Sequence, residues 1–159
     1  MIGLTYENLM IAYDGIVKVR EDDFSKHDFL RGFKGLYKNG NIAIDCNLTL
    51  DSERVCVLAE ELGHHYTSNG NILDIEDIRN IKQEKRARNW GYEKLVGIVN
   101  IINAYNANCT DKYELIEYLN VTEEFLENSI NHYKEKYGLY YVIDNYIVYF
   151  APLGVVKLF

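Results

Sequence analysis

TLDSERVCVLAEELGHHYTSNG, residues 49–70, decides how the rest of the chain is read. Val55, Leu58, Ala59 and Leu62 recur at helical spacing and make one apolar stripe, so the stretch is expected to be a helix packed on a core. Thr49 or Asp51 is placed to cap its first turn. Gly63 weakens such a helix by about 1 kcal/mol relative to alanine. A glycine there is expected where another backbone packs closely. The segment TSNGNILD then breaks the helix.

Glu60, Glu61, His64 and His65 crowd the polar part of that helix. Glu60 and His64 are four apart, so their side chains leave the same face and can grip one ion. Glu61 lies about 100° further round the helix, where it could reach water beside that ion. This is the arrangement of the HExxH motif with glutamate in place of the first histidine. A carboxylate is a legitimate zinc ligand, but it is harder than imidazole, so manganese or iron becomes more admissible beside zinc. A second register, Glu61 with His65, borders the same apolar stripe, and spacing does not choose between the two. The bland alternative is a solvated polar face, which most isolated Glu–His pairs at this spacing are.

A third ligand is expected on the next helix. In NIKQEKRARNWGYEKL, residues 80–95, the inward positions are 84, 87, 91 and 95. All are apolar or small except Glu84. A carboxylate on a core-facing stripe needs a partner, and an ion held by Glu60 and His64 would provide one. The neighbouring Arg79, Lys82, Lys85, Arg86, Arg88 and Lys94 read as a solvated basic surface.

These stretches carry a resemblance. VLAEELGHHY (57–66) and the run from Asn80 to Ala87, together with GLYKNGNIAID (35–45), KQEKRARNWGYEKL (82–95) and IVYFAPLGVVK (147–157), resemble the ImmA/IrrE metallopeptidases of phages and integrative elements. They look most like the small prophage forms. The resemblance covers most of the chain and implies one α+β domain with a zincin-like helical core. It implies that His64 is the second histidine ligand, Glu61 the general base and Glu84 the third ligand, with Glu60 standing where the family has its first histidine. The implied activity is a zinc endopeptidase that cleaves a phage or mobile-element repressor, with Glu61 taking the proton of a metal-activated water. The alternative is an inactive relative that binds a repressor or other regulatory protein without cutting it. His65 and Tyr66 could assist an oxyanion, though their directions are not fixed by sequence.

The rest of the chain sets the frame. At 159 residues it is read as one domain, and 48% hydrophobic content is enough for a core. The formal charge of -7 disfavours nucleic acid as the main partner. Residues 111–136 read as helix, turn, helix, but with seven acidic and three basic residues they would repel phosphate. Cys46, Cys56 and Cys109 share no CxxC spacing, and at least two are expected to be buried in a reducing compartment. The opening MIGLTYENLMIAYDGIVKV lacks the layout of a signal peptide, and no apolar run spans a membrane, so a cytoplasmic location is expected. Fourteen tyrosines suit a core with polar rims or a contact surface.

The remaining elements follow from local signals. A short helix with Leu4, Leu9, Ile11 and Ala12 ends by Gly15, a strand covers GIVKV, and 21–35 is a loop. Asn39-Gly40 supplies a tight hairpin turn. One long helix is expected from about Asp77 to Ala104, using Ile81, Ala87, Trp90, Gly91, Leu95, Ile98 and Ile102. Thr122 caps the helix that begins with Glu123, Glu124 and Phe125. A closing hairpin turns at Asp144-Asn145 and is ended by Pro152. His27 and His132 are placed on the surface.

Overall fold

The structure is a computed structural model that describes residues 3–68 and 78–159, with the backbone alone at 78–80. The expected start of a helix at Asp77 lies outside the described residues. The architecture is α+β, with helices and two three-stranded sheets. The chain forms two compact units, Leu4–Gly91 and Tyr92–Phe159 with Gly3.

In the first unit, helix α1 spans Tyr6–Ala12, and Thr5 caps it by accepting the Asn8 N–H at 3.1 Å. Strand β1 (Lys18–Asp22) begins later than GIVKV predicts, and the expected loop after it holds two short 3₁₀ turns, Phe24–Lys26 and Asp28–Leu30. Strands β2 (Gly35–Lys38) and β3 (Asn41–Asp45) form the expected hairpin. Asn39 and Gly40 both have positive φ, 49° and 79°, which is what a two-residue turn matching strand twist requires. The sheet order is β1-β3-β2, with β1 parallel to β3.

Helix α2 (Asp51–Thr67) packs against β2 and β3, burying Val55, Leu58, Ala59 and Leu62 as the stripe requires. Its cap differs from expectation. Leu50 is the N-cap, with no side-chain hydrogen bond. The Asp51 carboxylate instead accepts the Tyr6 N–H at 3.2 and 3.3 Å, satisfying a free donor at the start of α1. Helix α3 (Ile78–Leu95) follows, with Ala87, Gly91 and Leu95 buried and Glu84 partly so. Ile81 is exposed and does not belong to the apolar stripe.

The single long helix expected to Ala104 is two helices, α3 and α4 (Ile98–Asn106). Gly97 takes an extended conformation as the N-cap of α4. The buried Tyr133 hydroxyl donates to the Val96 carbonyl at 2.8 Å, satisfying an acceptor at the break. Helices α5 (Lys112–Leu119) and α6 (Glu123–Tyr137) are joined at Asn120, which is left-handed. Thr122 accepts the Phe125 N–H at 3.2 Å, the cap its position predicts.

The tail has one more strand than expected: β4 (Tyr140–Ile143), β5 (Tyr146–Phe150) and β6 (Leu153–Lys157) form an antiparallel sheet in that order. Pro152 ends β5, but the chain resumes pairing immediately after it. Tyr133 stacks on Phe150, tying α6 to this sheet. Two surface expectations also change. His132 is half-buried, its Nε2 2.8 Å from Glu93 Oε1 on α3, and only Cys56 of the three cysteines is buried. Among the described residues no helix is long and apolar enough to cross a membrane.

Candidate metal centre

A seam of small residues brings α2 and α3 together. A Cβ on Gly63 would lie 2.1 Å from the Ala87 carbonyl oxygen, and one on Gly91 would lie 3.3 Å from the Ala59 carbonyl. Ala59 and Gly63 are one turn apart on α2, as are Ala87 and Gly91 on α3, so backbone meets backbone along the line. Tyr66 adds a clamp, stacking on Trp90 at 5.1 Å between ring centres, with Tyr13 edge-on to both.

The contact sets the polar geometry. Glu60 and His64 each follow a seam residue on α2, while Glu84 and Arg88 flank Ala87 on α3. One ligand atom each from Glu60, His64 and Glu84 lies within 4.8 Å of the others. His64 Nε2 is 3.5 Å from Glu84 Oε1. Two ligands about 2.0–2.1 Å from a tetrahedral ion sit roughly 3.3–3.4 Å apart, so this pair is already at ligand spacing. His64 Nδ1 lies 3.2 Å from Ser68 Oγ. With Ser68 accepting the Nδ1 proton, the Nε2 lone pair faces Glu84, the orientation that metal-binding histidines take from such a partner.

Burial tunes the protonation states. It pushes the His64 imidazole below its ordinary pKa, Arg88 acting the same way and Glu60 opposing, so the ring is held neutral as a ligand must be. Burial also raises Glu84, against the pull of Arg88 and with help from Glu60. Glu61 is raised furthest, by burial first and then by the charges of Glu60 and Glu84, against Arg88. One imidazole and two carboxylates, with the imidazole oriented and neutral, fit a divalent cation.

The structure separates the two registers that spacing left open. The 60/64 pair faces α3. The 61/65 pair faces β2, where a Cβ on Gly35 would come within 2.9 Å of Glu61 Oε1. Two residues along that strand, the Tyr37 hydroxyl lies 3.0 Å from His65 Nδ1 and accepts the Gly40 N–H at 3.0 Å. His65 is thereby oriented by β2 rather than by α3. Tyr66 is half-exposed and stacked on Trp90.

Sequence reasoning missed Arg88. It was grouped with solvated basic residues, yet its Nε lies 3.0 Å from Glu60 Oε1 and its Nη2 3.8 Å from Glu84 Oε2. Its position four residues after Glu84 was the available signal. A second group, Asp23, Asp45 and Cys46, also has ligand atoms within 4.8 Å of one another. Its carboxylates are used locally: Asp45 accepts the Phe24 and Asn47 N–H groups, and Asp23 accepts from Ser25 and Asn47.

Comparisons with known protein families, with curated proteins and with solved structures found no match.

Proposed function

We propose that this chain is a metal-dependent endopeptidase of the ImmA/IrrE type, zincin-like in its helical core, which uses zinc and cleaves a phage or mobile-element repressor. The observation that supports this best is the His64–Glu84 pair at 3.5 Å across two helices, with Glu61 buried one residue from Glu60. Glu60, His64 and Glu84 would hold the ion, which supplies Lewis acidity toward a peptide carbonyl and water. Glu61 accepts the proton of the attacking water on its carboxylate and delivers it to the leaving amine. Its raised pKa suits the second half of that cycle. When the charges of Glu60 and Glu84 are compensated, part of what raises Glu61 is removed, and the same side chain can begin as a base.

The test is cleavage of a purified phage-type repressor by zinc-loaded protein beside Glu61→Gln. The expected loss is about 10²–10⁴-fold in rate, with the circular dichroism spectrum unchanged. Equal cleavage by the variant, or none by the wild type, contradicts the reading.

The Arg88–Glu60 ion pair favours a second reading, in which the guanidinium supplies the positive charge of the site and the chain binds a regulatory protein without cutting it. A stoichiometric complex that survives both Glu61→Gln and chelator would support it.

A further inference from the structure

Glu60 is the member of the ligand triad that Arg88 holds most closely. Arg88 Nε sits 3.0 Å from Glu60 Oε1, while Nη2 of the same guanidinium lies 3.8 Å from Glu84 Oε2. The guanidinium therefore reaches both carboxylates of the triad. His64 and Glu84 stand at ligand spacing, 3.5 Å apart, without any movement.

From this we infer that Arg88 is a built-in competitor for the metal, so that loading the centre exchanges the guanidinium for the ion at Glu60. The inference rests on the metal-centre reading and adds a determinant of its affinity. Two physical terms act in the same direction. A divalent ion that recruits Glu60 must break the Arg88 pair, and it then sits within a few ångströms of a like charge. Arginine keeps its charge throughout the ordinary pH range, so protonation equilibria do not relieve the competition. The Arg88 side chain is 54% exposed against 34% for Glu60. The guanidinium can therefore turn to water while its stem stays on the helix, and the pair itself is worth little enough to be displaced. Ions that gain little from a third, carboxylate ligand are disfavoured most. Arg88 is thus a specificity-determining residue for the centre without being a ligand.

The experiment is a zinc titration in competition with a chromophoric chelator, on the full chain and on Arg88→Gln, Arg88→Lys, Glu60→Gln and the double variant Glu60→Gln/Arg88→Gln. Arg88→Gln is expected to bind zinc roughly tenfold tighter, the scale of relieving one partly exposed ion pair and one like-charge contact. Arg88→Lys, which keeps the charge but loses the two-point reach, is expected to fall between. In the Glu60→Gln background, removing Arg88 is expected to gain clearly less than in the wild type, because the closer of its two ion pairs with the triad is already gone and only the longer one to Glu84 remains. Equal or weaker zinc binding by Arg88→Gln, with zinc still bound by the wild type, overturns the inference and leaves the centre standing. No zinc on any of the chains overturns the centre and the inference with it.

Discussion

Glu61 tests the site most sharply at the scale of a single residue, because its environment makes a prediction about pH. Its folded-state pKa is raised above the ordinary 4.5 by burial and by its carboxylate neighbours. A carboxyl raised on folding favours the folded state below its unfolded pKa, and loses that contribution as pH climbs toward the folded value. Glu61→Gln, which is neutral throughout, should therefore gain stability over the wild type as pH rises above about 4.5. Urea midpoints from pH 4 to 8 in chelator measure this, and a difference independent of pH would contradict it. His64 runs the other way: its lowered pKa contributes stability above 6.5 that is lost as pH falls. The wild-type profile alone mixes these with Glu84, which burial also raises, and the variant difference reports on Glu61. Ser68→Ala should weaken zinc binding about 10-fold or more by releasing the His64 tautomer, and an unchanged affinity would mean Ser68 does not orient the ring. Glu60 and His64 were legible because helical spacing puts them on one face, with the choice over Glu61 and His65 resting on the resemblance, and Glu84 because it sits on an inward stripe. Ser68 and Gly35 act through space, and Arg88 looked like any surface cation.

At the scale of elements, the α2–α3 seam carries the geometry. Gly63→Ala would put a methyl 2.1 Å from the Ala87 carbonyl, so the helices must part. The expected cost is about 1–3 kcal/mol, and zinc affinity should fall although no ligand is touched. Thermal melts with and without zinc check both effects, and a variant that melts and binds like the wild type would contradict the close contact. Tyr133→Phe tests the helix break. It leaves the Val96 carbonyl without its 2.8 Å donor, at an expected cost of about 1–3 kcal/mol in urea unfolding. A loss below experimental error would show that another group satisfies Val96. These elements also show what sequence can carry. The Asn39-Gly40 turn and the Thr122 cap are settled within four residues and were readable. The break at Val96-Gly97 depends on Tyr133, 37 residues on, and the use of Asp51 depends on Tyr6, 45 residues back. Strand β6 was missed because its five residues follow the only proline and draw their order from pairing with β5.

At the scale of the whole molecule, the order of helix, strands, helices and final strands follows from hydrophobic period and turn chemistry, which is why the α+β class was readable from sequence. The same pattern says nothing of how closely two helices approach, and the site depends on that approach. If the centre binds an ion only when folded, zinc should raise the stability of the chain. The gain is about 2.7 kcal/mol at a free concentration of 100 times Kd, and it should vanish in Glu84→Ala. The most direct measurement is elemental analysis of protein purified without added metal or chelating resin, beside Glu84→Ala. The account predicts about one zinc, manganese or iron per chain, lost in the variant, as a single three-ligand centre requires. No bound metal, even after incubation with excess zinc or manganese, would contradict it and leave the Glu60–Arg88 pair as the resting structure of a binding protein.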